Sequence, residues 1–257
     1  MTSTPPNSLA RRAHSFNSAA AQYAANRPSY PPALFEAVEN LAGSTLTGAR
    51  VVDVGAGTGI ATTLLRERGA HVVAVEPGEG MAAQFRRTLP DAPLVRADGN
   101  ALPFADAYAD VVTYAQAWHW TDPACSLPEA MRVLRPGGAL ALWWNMDAED
   151  VPWLAAQAER VERYVGIGKK NGGFRAEAAF AGAPYVPRFA HRQVRWSRTV
   201  PLDTHLANIG SHSVFLVLGE EKTTAFLAEE RGHLLETFPD GLVEEVYNVD
   251  VIVATRS

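Results

Sequence analysis

The sequence holds one cysteine, Cys125, in 257 residues, so an internal disulfide or a cysteine-built metal cage is excluded. No apolar run comes near the roughly 18 residues that a membrane-spanning helix requires. The first residues, MTSTPPNSLARRAHSF, contain no apolar signal core, which makes cytoplasmic the expected location. Basic residues are not in excess: 23 Lys and Arg against 28 Asp and Glu leave a formal net charge of −5. A general nucleic-acid binder needs a basic stripe to neutralise phosphates. The pairs Arg11–Arg12, Arg86–Arg87 and Lys169–Lys170 are short and scattered, as solvated faces are. Neither nucleic acid nor membrane is therefore an expected partner. There is no internal repeat, and no low-complexity tract beyond the N-terminal tail.

What is present suits a soluble globular chain: 47% hydrophobic and 20% charged residues, enough for one large domain or a core with an insert. Residues 1–15, rich in Pro, Ser, Thr and Asn, have a disordered composition. An alanine-rich helix is expected from Phe16 up to Arg27-Pro28. A second opens at Pro31-Pro32 with Leu34, Phe35, Val38 and Leu41 on one face. From 50 to 144 short apolar strands alternate with amphipathic helices. The strands are Val51–Val54, Val72–Val75, Leu94–Val95, Val111–Tyr114 and Ala139–Trp144. The helices are Ile60–Arg68, Gly80–Thr88 and Ala124–Leu134. Such alternation implies a parallel sheet covered on both faces. Arg135-Pro136-Gly137-Gly138 is expected to end a helix and turn the chain into the next strand. Beyond Trp144 the rhythm changes: a helix over 147–166, a strand His191–Trp196, helices Leu202–Leu218 and Glu220–Thr237, and a strand Tyr247–Ala254.

The most informative segment is Val51-Val52-Asp53-Val54-Gly55-Ala56-Gly57-Thr58-Gly59, a buried strand running into a glycine turn and then a helix. Glycines let backbone approach a ligand where side chains would clash. The dehydrogenase spacing fails, because its third glycine would fall at Ile60. The next strand ends in Glu76-Pro77, a carboxylate 21 residues beyond Gly55 and placed to accept both hydroxyls of a ribose. Glu76 is otherwise a polar residue closing a strand. Asp98-Gly99-Asn100 follows the third strand at the same sheet edge. Asp98 there can take the exocyclic amine of adenine, or Asp98-Gly99 can serve simply as a turn pair.

Taken in order, VVDVGAGTG, VVAVEP, RADGNALPFADAYADVV and RVLRPGG resemble the successive signatures of class I S-adenosylmethionine (SAM)-dependent methyltransferases. The resemblance spans about residues 16–145. Phe16, Tyr23, Arg27-Pro28 and Tyr30-Pro31, with Gln116-Ala117-Trp118-His119-Trp120, look like a small-molecule branch similar to trans-aconitate methyltransferase-like (methyltransferase type 11) enzymes. It implies an α/β, Rossmann-like three-layer sandwich with a mostly parallel seven-stranded sheet, its last strand antiparallel, and a helical cap. The implied organisation is a tail (1–15), a SAM-binding core with N-terminal lid helices (16–145), a cap and substrate region with a late core strand (146–240), and a final core strand (241–257). The cofactor implied is SAM, leaving as S-adenosylhomocysteine. Gly55, Ala56, Gly57, Thr58 and Gly59 would line its methionine half, with Asp53 orienting the charged end. Glu76 and Pro77 would hold the ribose, Met81 would lie against the adenine, and Asp98, Gly99 and Asn100 would meet its edge. Gln116 would sit beneath the sulfonium. Tyr23 and Arg27 would belong to a helix closing over the cofactor.

Methyl transfer from a sulfonium is an in-line displacement that asks mainly for alignment and exclusion of water. No metal is expected, Asp122, Asn145 and Asp147 being the only loose candidates. If the acceptor needs a base, His119 is the first candidate, because 116–120 follows the fourth strand. It can equally be a packing residue between Trp118 and Trp120. His212, where the family often has tyrosine, is the second candidate or else a helix-surface substitution. Trp118, Trp120 and Phe215, with His119, are the expected contacts of a small-molecule substrate, core packing being the alternative. A SAM-binding enzyme with different chemistry, or a protein or nucleic-acid methyltransferase, would keep the same cofactor signatures. The sequence leaves the acceptor open.

Overall fold

The computed structural model describes residues 26–166 and 174–257. The expected tail, most of the first helix, Tyr23 and Lys169–Lys170 lie outside the described residues. The described residues form two compact units: 29–145 with 174–194 and 249–257, and 26–28 with 146–166 and 195–248.

The first unit carries the central sheet. Its strands are β1 (Arg50–Val54), β2 (His71–Val75), β3 (Leu94–Val95), β4 (Ala109–Ala115) and β5 (Leu134–Asp147), with β6 (Phe189–Pro201) and β7 (Leu242–Thr255) completing it. The order is β3-β2-β1-β4-β5-β7-β6. Strands β1 to β5 pair in parallel. Bonds from Gly137 N to Arg256 O (2.9 Å) and Ala148 N to Val246 O (3.0 Å) run β7 antiparallel to β5. The β-branched run Val51-Val52-Asp53-Val54 is buried along its whole length, as a strand covered on both faces must be. Each such buried valine is worth about 1.5–3 kcal/mol. The order reverses between β1 and β4, and their carboxyl ends flank the crevice where open α/β sheets bind ligands.

Helix α1 (Pro32–Ala42) starts with proline in its first turn and ends on Gly43 in the left-handed region, as the sequence dictates. Helices α2 (Ile60–Glu67) and α3 (Glu79–Thr88) follow β1 and β2, and α4 (Pro123–Val133) is capped by the Asp122 side chain. Arg135-Pro136-Gly137-Gly138 does not precede β5 but lies within it. There Gly137 has φ +75° and the register against β4 shifts between Ala109 and Val111. A bulge absorbs the proline and glycines without ending the strand.

In the second unit α5 (Pro152–Val165), α6 (Leu202–Gly210), α7 (Ser213–Leu218) and α8 (Glu220–Thr237) enclose a core of Leu202, Leu206, Ile209, Phe215, Phe226 and Leu234. The single helix expected over Leu202–Leu218 is two helices, broken at Ser211-His212, where His212 has extended backbone.

Asp53 is fully buried, and its two oxygens accept from Thr62 Oγ1 on α2 (2.6 Å) and Thr113 Oγ1 on β4 (2.9 Å). It is a strut joining three elements beneath the glycine turn. Burial raises its carboxyl from 3.8 to about 6, against the pull of both hydroxyls. The folded state thus holds this proton more tightly than the unfolded chain does. Ionised Asp53 costs stability above pH 6, on the order of 3 kcal/mol, and that cost is relieved as pH falls from about 6 towards 4. Asp53→Asn should therefore gain stability relative to wild type at pH 8, and the gain should vanish near pH 4.5. Urea midpoints at the two pH values test this, and a pH-independent difference would refute it.

Candidate active site

At the tip of β1 the chain needs glycine for reasons visible in the geometry. Gly55 has φ +69°, and a Cβ there would lie 2.4 Å from Ala117 Cβ. Gly59 has φ +96°, and a Cβ would meet Leu89 Cδ1 at 2.7 Å. Gly57, at φ +59°, is less crowded: a Cβ there would meet only Gly55 O, at 4.0 Å, among the described residues. Gly55 N and Ala56 N both donate to Val75 O, at 2.8 and 3.0 Å, which ties the turn to β2.

Glu76 closes β2 and is 7% exposed. Its Oε2 accepts from Gly57 N at 2.8 Å and its Oε1 from Gly78 N at 2.7 Å. Burial raises the carboxyl above its ordinary value, while the two amides and Arg96 act the other way. Each oxygen accepts one protein bond and keeps a lone pair, so a ribose diol can still bind both. Pro77 is exposed beside it, its carbonyl held by Arg96 at 2.7 Å, and Met81 is buried on α3.

Asp98 is exposed and its Oδ1 accepts from Asn100 N at 2.9 Å, the turn anticipated as its plainer role. Its other oxygen is not committed by that turn. Gly99 is buried, with Tyr114 OH donating to its carbonyl at 3.1 Å, and a Cβ there would press on Thr121 and Val54 at 3.0 and 3.1 Å. Asn100 Oδ1 accepts from Asp122 N at 2.8 Å, joining this turn to the start of α4. Gln116, just past β4, is held at φ +55°, a strained setting for a non-glycine residue. Its Nε2 donates to Asn145 O at 3.0 Å.

Two expected contacts of the substrate pack in the core, the alternative that the sequence also offered. Trp118 is 2% exposed: its ring packs edge-on against Tyr114 and Phe180, and its Nε1 donates to Ala179 O at 2.6 Å. It is a core residue. Phe215 is 1% exposed and packs on Phe226 in the core of the second unit.

His119 is exposed, its ring 4.8 Å from that of Trp120, and Trp144 Nε1 donates to its Nδ1 at 3.3 Å. Trp144 also meets Phe174, whose ring stacks on His191 at 5.3 Å. Trp120, His119, Trp144, Phe174 and His191 thus form one aromatic row, which spacing could not disclose because two members come from a distant segment. His191 Nε2 is anchored by buried Asp250 at 2.9 Å.

In the other unit Arg27 donates from Nη2 to Ser211 O at 3.3 Å. His212 stands next to that contact, and burial with the Arg27 charge lowers its pKa to about 3. A polar network here went unread in the sequence: Glu245 accepts from His205 Nδ1 (2.7 Å) and Arg198 Nε (2.5 Å), and Gln157 bridges His205 and Glu230 at 3.0 Å each. Its members are spread over 157–245 without a motif, so only folding assembles them.

The residues at the β1 and β2 tips suit an adenosyl ligand. The carboxylate at 76 lies against Gly57 N of the glycine turn, and Thr58 Oγ1, 2% exposed in that turn, is buried without a partner among the described residues. A ligand's polar end would satisfy that orphaned hydroxyl. No group of three or more His, Cys, Asp or Glu side chains able to hold a metal stands together among the described residues.

Comparison with known proteins agrees with this geometry. Residues 52–142 match the family model described as a methyltransferase domain. An uncharacterised methyltransferase of Mycobacterium tuberculosis is 45% identical over 149 residues, 58% of this chain and 59% of that protein. A demethylmenaquinone methyltransferase of Beutenbergia cavernae is 38% identical over 112 residues, 43% of this chain and 45% of its own. The chain thus matches the first of these curated relatives over 59% of its length. Among solved structures, a type II methyltransferase candidate from Anaeromyxobacter dehalogenans superposes with a TM-score of 0.69 at 25% identity, covering 89% of this chain and 97% of that one. These relatives do not address the trans-aconitate-like branch. With the seven-stranded sheet in the order described, they show that residues 52–142 resemble a methyltransferase domain and that the chain shares the fold of the Anaeromyxobacter structure.

Proposed function

We propose that this protein transfers the methyl group of SAM to a small-molecule acceptor by in-line displacement without a metal. The observation that carries the reading is Glu76, whose carboxylate joins Gly57 N of the glycine turn to the tip of β2 while keeping lone pairs for a ribose. Gly55 to Gly59 hold the methionine half, with the Thr58 hydroxyl meeting its polar end. Asp53 acts one step removed, fixing the turn from below. Met81 and the Asp98–Asn100 turn frame the adenine, and Gln116 contributes its strained backbone beside the reacting centre. The sulfonium supplies an already activated methyl group, so the chain's own task is alignment and the exclusion of water. A small acceptor fits the acidic balance of the chain, and the demethylmenaquinone relative acts by name on a small molecule. A cytoplasmic location accords with the absence, among described residues, of a helix long and apolar enough to cross a membrane.

His119 suits a positioning role better than a base. Its Nδ1 accepts from Trp144, so in the neutral ring the proton sits on Nε2, which then offers a proton rather than a lone pair. His212, lowered to about 3, is too weak a base to drive proton removal at neutral pH.

Calorimetry tests the cofactor assignment. S-adenosylhomocysteine should bind and NAD should not, and Glu76→Ala should weaken the former about 30-fold, or ~2 kcal/mol. Wild-type affinity in the variant would remove Glu76 from the site. With an acceptor in hand, His119→Ala should change the rate less than about threefold and leave its pH profile in place. Disappearance of an acid limb from that profile would restore His119 as the base.

A further inference from the structure

The cofactor residues leave one cluster unused, the aromatic row beside the end of β5. Trp144 Nε1 donates to His119 Nδ1 at 3.3 Å, and the Trp144 ring lies 5.3 Å from that of Phe174. Phe174 stacks on His191 at 5.3 Å, the two planes inclined by 29°. Both ring spacings are those of offset or tilted aromatic pairs in contact.

A buried charge anchors the far end of the row. Asp250, 2% exposed on β7, accepts from His191 Nε2 at 2.9 Å and from Gln193 Nε2 at 3.2 Å through the same oxygen. The bonds Ala148 N to Val246 O and Arg256 N to Gly138 O set Trp144 opposite Asp250, on one face of the sheet. The imidazole is thus held beside the indole by a carboxylate on the strand between them. With Nε2–H committed to Asp250, the neutral ring carries its lone pair on Nδ1, at the opposite edge.

Solvent reaches the row: Phe174 is 37% exposed and the His191 side chain 35%. Its near end adjoins the candidate cofactor cleft. His119 lies three residues beyond Gln116, and Gln116 Nε2 holds the carbonyl of Asn145, the residue after Trp144. Rings fixed in orientation and open to water beside a cleft form a platform.

We propose that this platform binds a planar aromatic molecule bearing a hydroxyl, its ring against Phe174 and its hydroxyl donating to His191 Nδ1. Stacked rings favour a flat π-system over an aliphatic ligand of equal size. Nδ1 calls for a donor, and the Asp250 charge behind the imidazole repels a carboxylate. That the ligand is the methyl acceptor rests on the methyltransferase reading above; the binding itself does not.

Phenol is the probe, compared with anisole (no donor), cyclohexanol (no aromatic ring), benzylamine (a cation) and benzoate (an anion). The full chain is labelled with nitrogen-15 at histidine, and the His191 ring signals are assigned by their loss in His191→Ala. Phenol should shift those signals and bind about fivefold more tightly than each comparator. Phe174→Leu should weaken phenol and anisole alike, about fivefold, and leave affinity for S-adenosylhomocysteine unchanged. His191→Ala should abolish the preference for phenol over anisole. If His191→Ala does not fold, His191→Gln, which keeps a donor for Asp250, serves for the assignment, and the loss in Phe174→Leu carries the test. Phenol binding no better than a comparator, not binding, or leaving the His191 signals in place would overturn the proposal, as would wild-type affinity in Phe174→Leu. S-adenosylhomocysteine is titrated into the same wild-type sample. Normal binding there alongside failed phenol selectivity sinks the platform alone, whereas its failure to bind sinks the methyltransferase reading.

Discussion

A carboxylate at the end of β2 holds the glycine turn at the end of β1, and the rest of the site is arranged around that bond. Glu76 accepts from Gly57 N and Gly78 N, so one side chain fixes two loops. The bond is possible only because the turn carries glycine where φ is positive and where Gly55 meets Ala117 at a distance no side chain tolerates. Removing water from Glu76 is costly, as the raised pKa records, and the two backbone donors offset part of that cost.

Beneath this pair, Asp53 does a different job with the same chemistry. Its neighbours are two threonine hydroxyls and no cation, so burial wins and the carboxyl rises to about 6. The cost buys rigidity: β1, α2 and β4 are tied at one point directly under the turn. Gln116 shows strain at the end of β4, where the sheet order reverses. Support from below and strain above are what a preorganised cofactor cleft needs.

The second unit follows the opposite logic. Buried charge there is mostly paired, as Glu245 with Arg198 and Glu230 with Arg160, because an unpaired buried ion is the more expensive arrangement. Against that background Asn208 Oδ1 is buried with no partner among the described residues.

The strand–turn–helix pattern of 51–67, the carboxylate at 76 and the parallel strands to 144 were all legible in the sequence, because they are local: period, glycine placement and strand ends lie within a few residues of one another. Local pattern could not tell that Arg135–Gly138 continues β5, since a bulge depends on the register of the neighbouring strand. Nor could it tell that Trp118 and Phe215 are core while half-buried Trp144 meets exposed Phe174, because aromatic side chains look alike until packing decides which way they face. The polar network around Glu245 was invisible for the same reason, as its bonds join residues 40 or more positions apart. Sequence alone determined where backbone must bend and which strand ends carry acceptors. Tertiary structure decided which of those acceptors are already used, because only packing brings donors from distant segments to meet them.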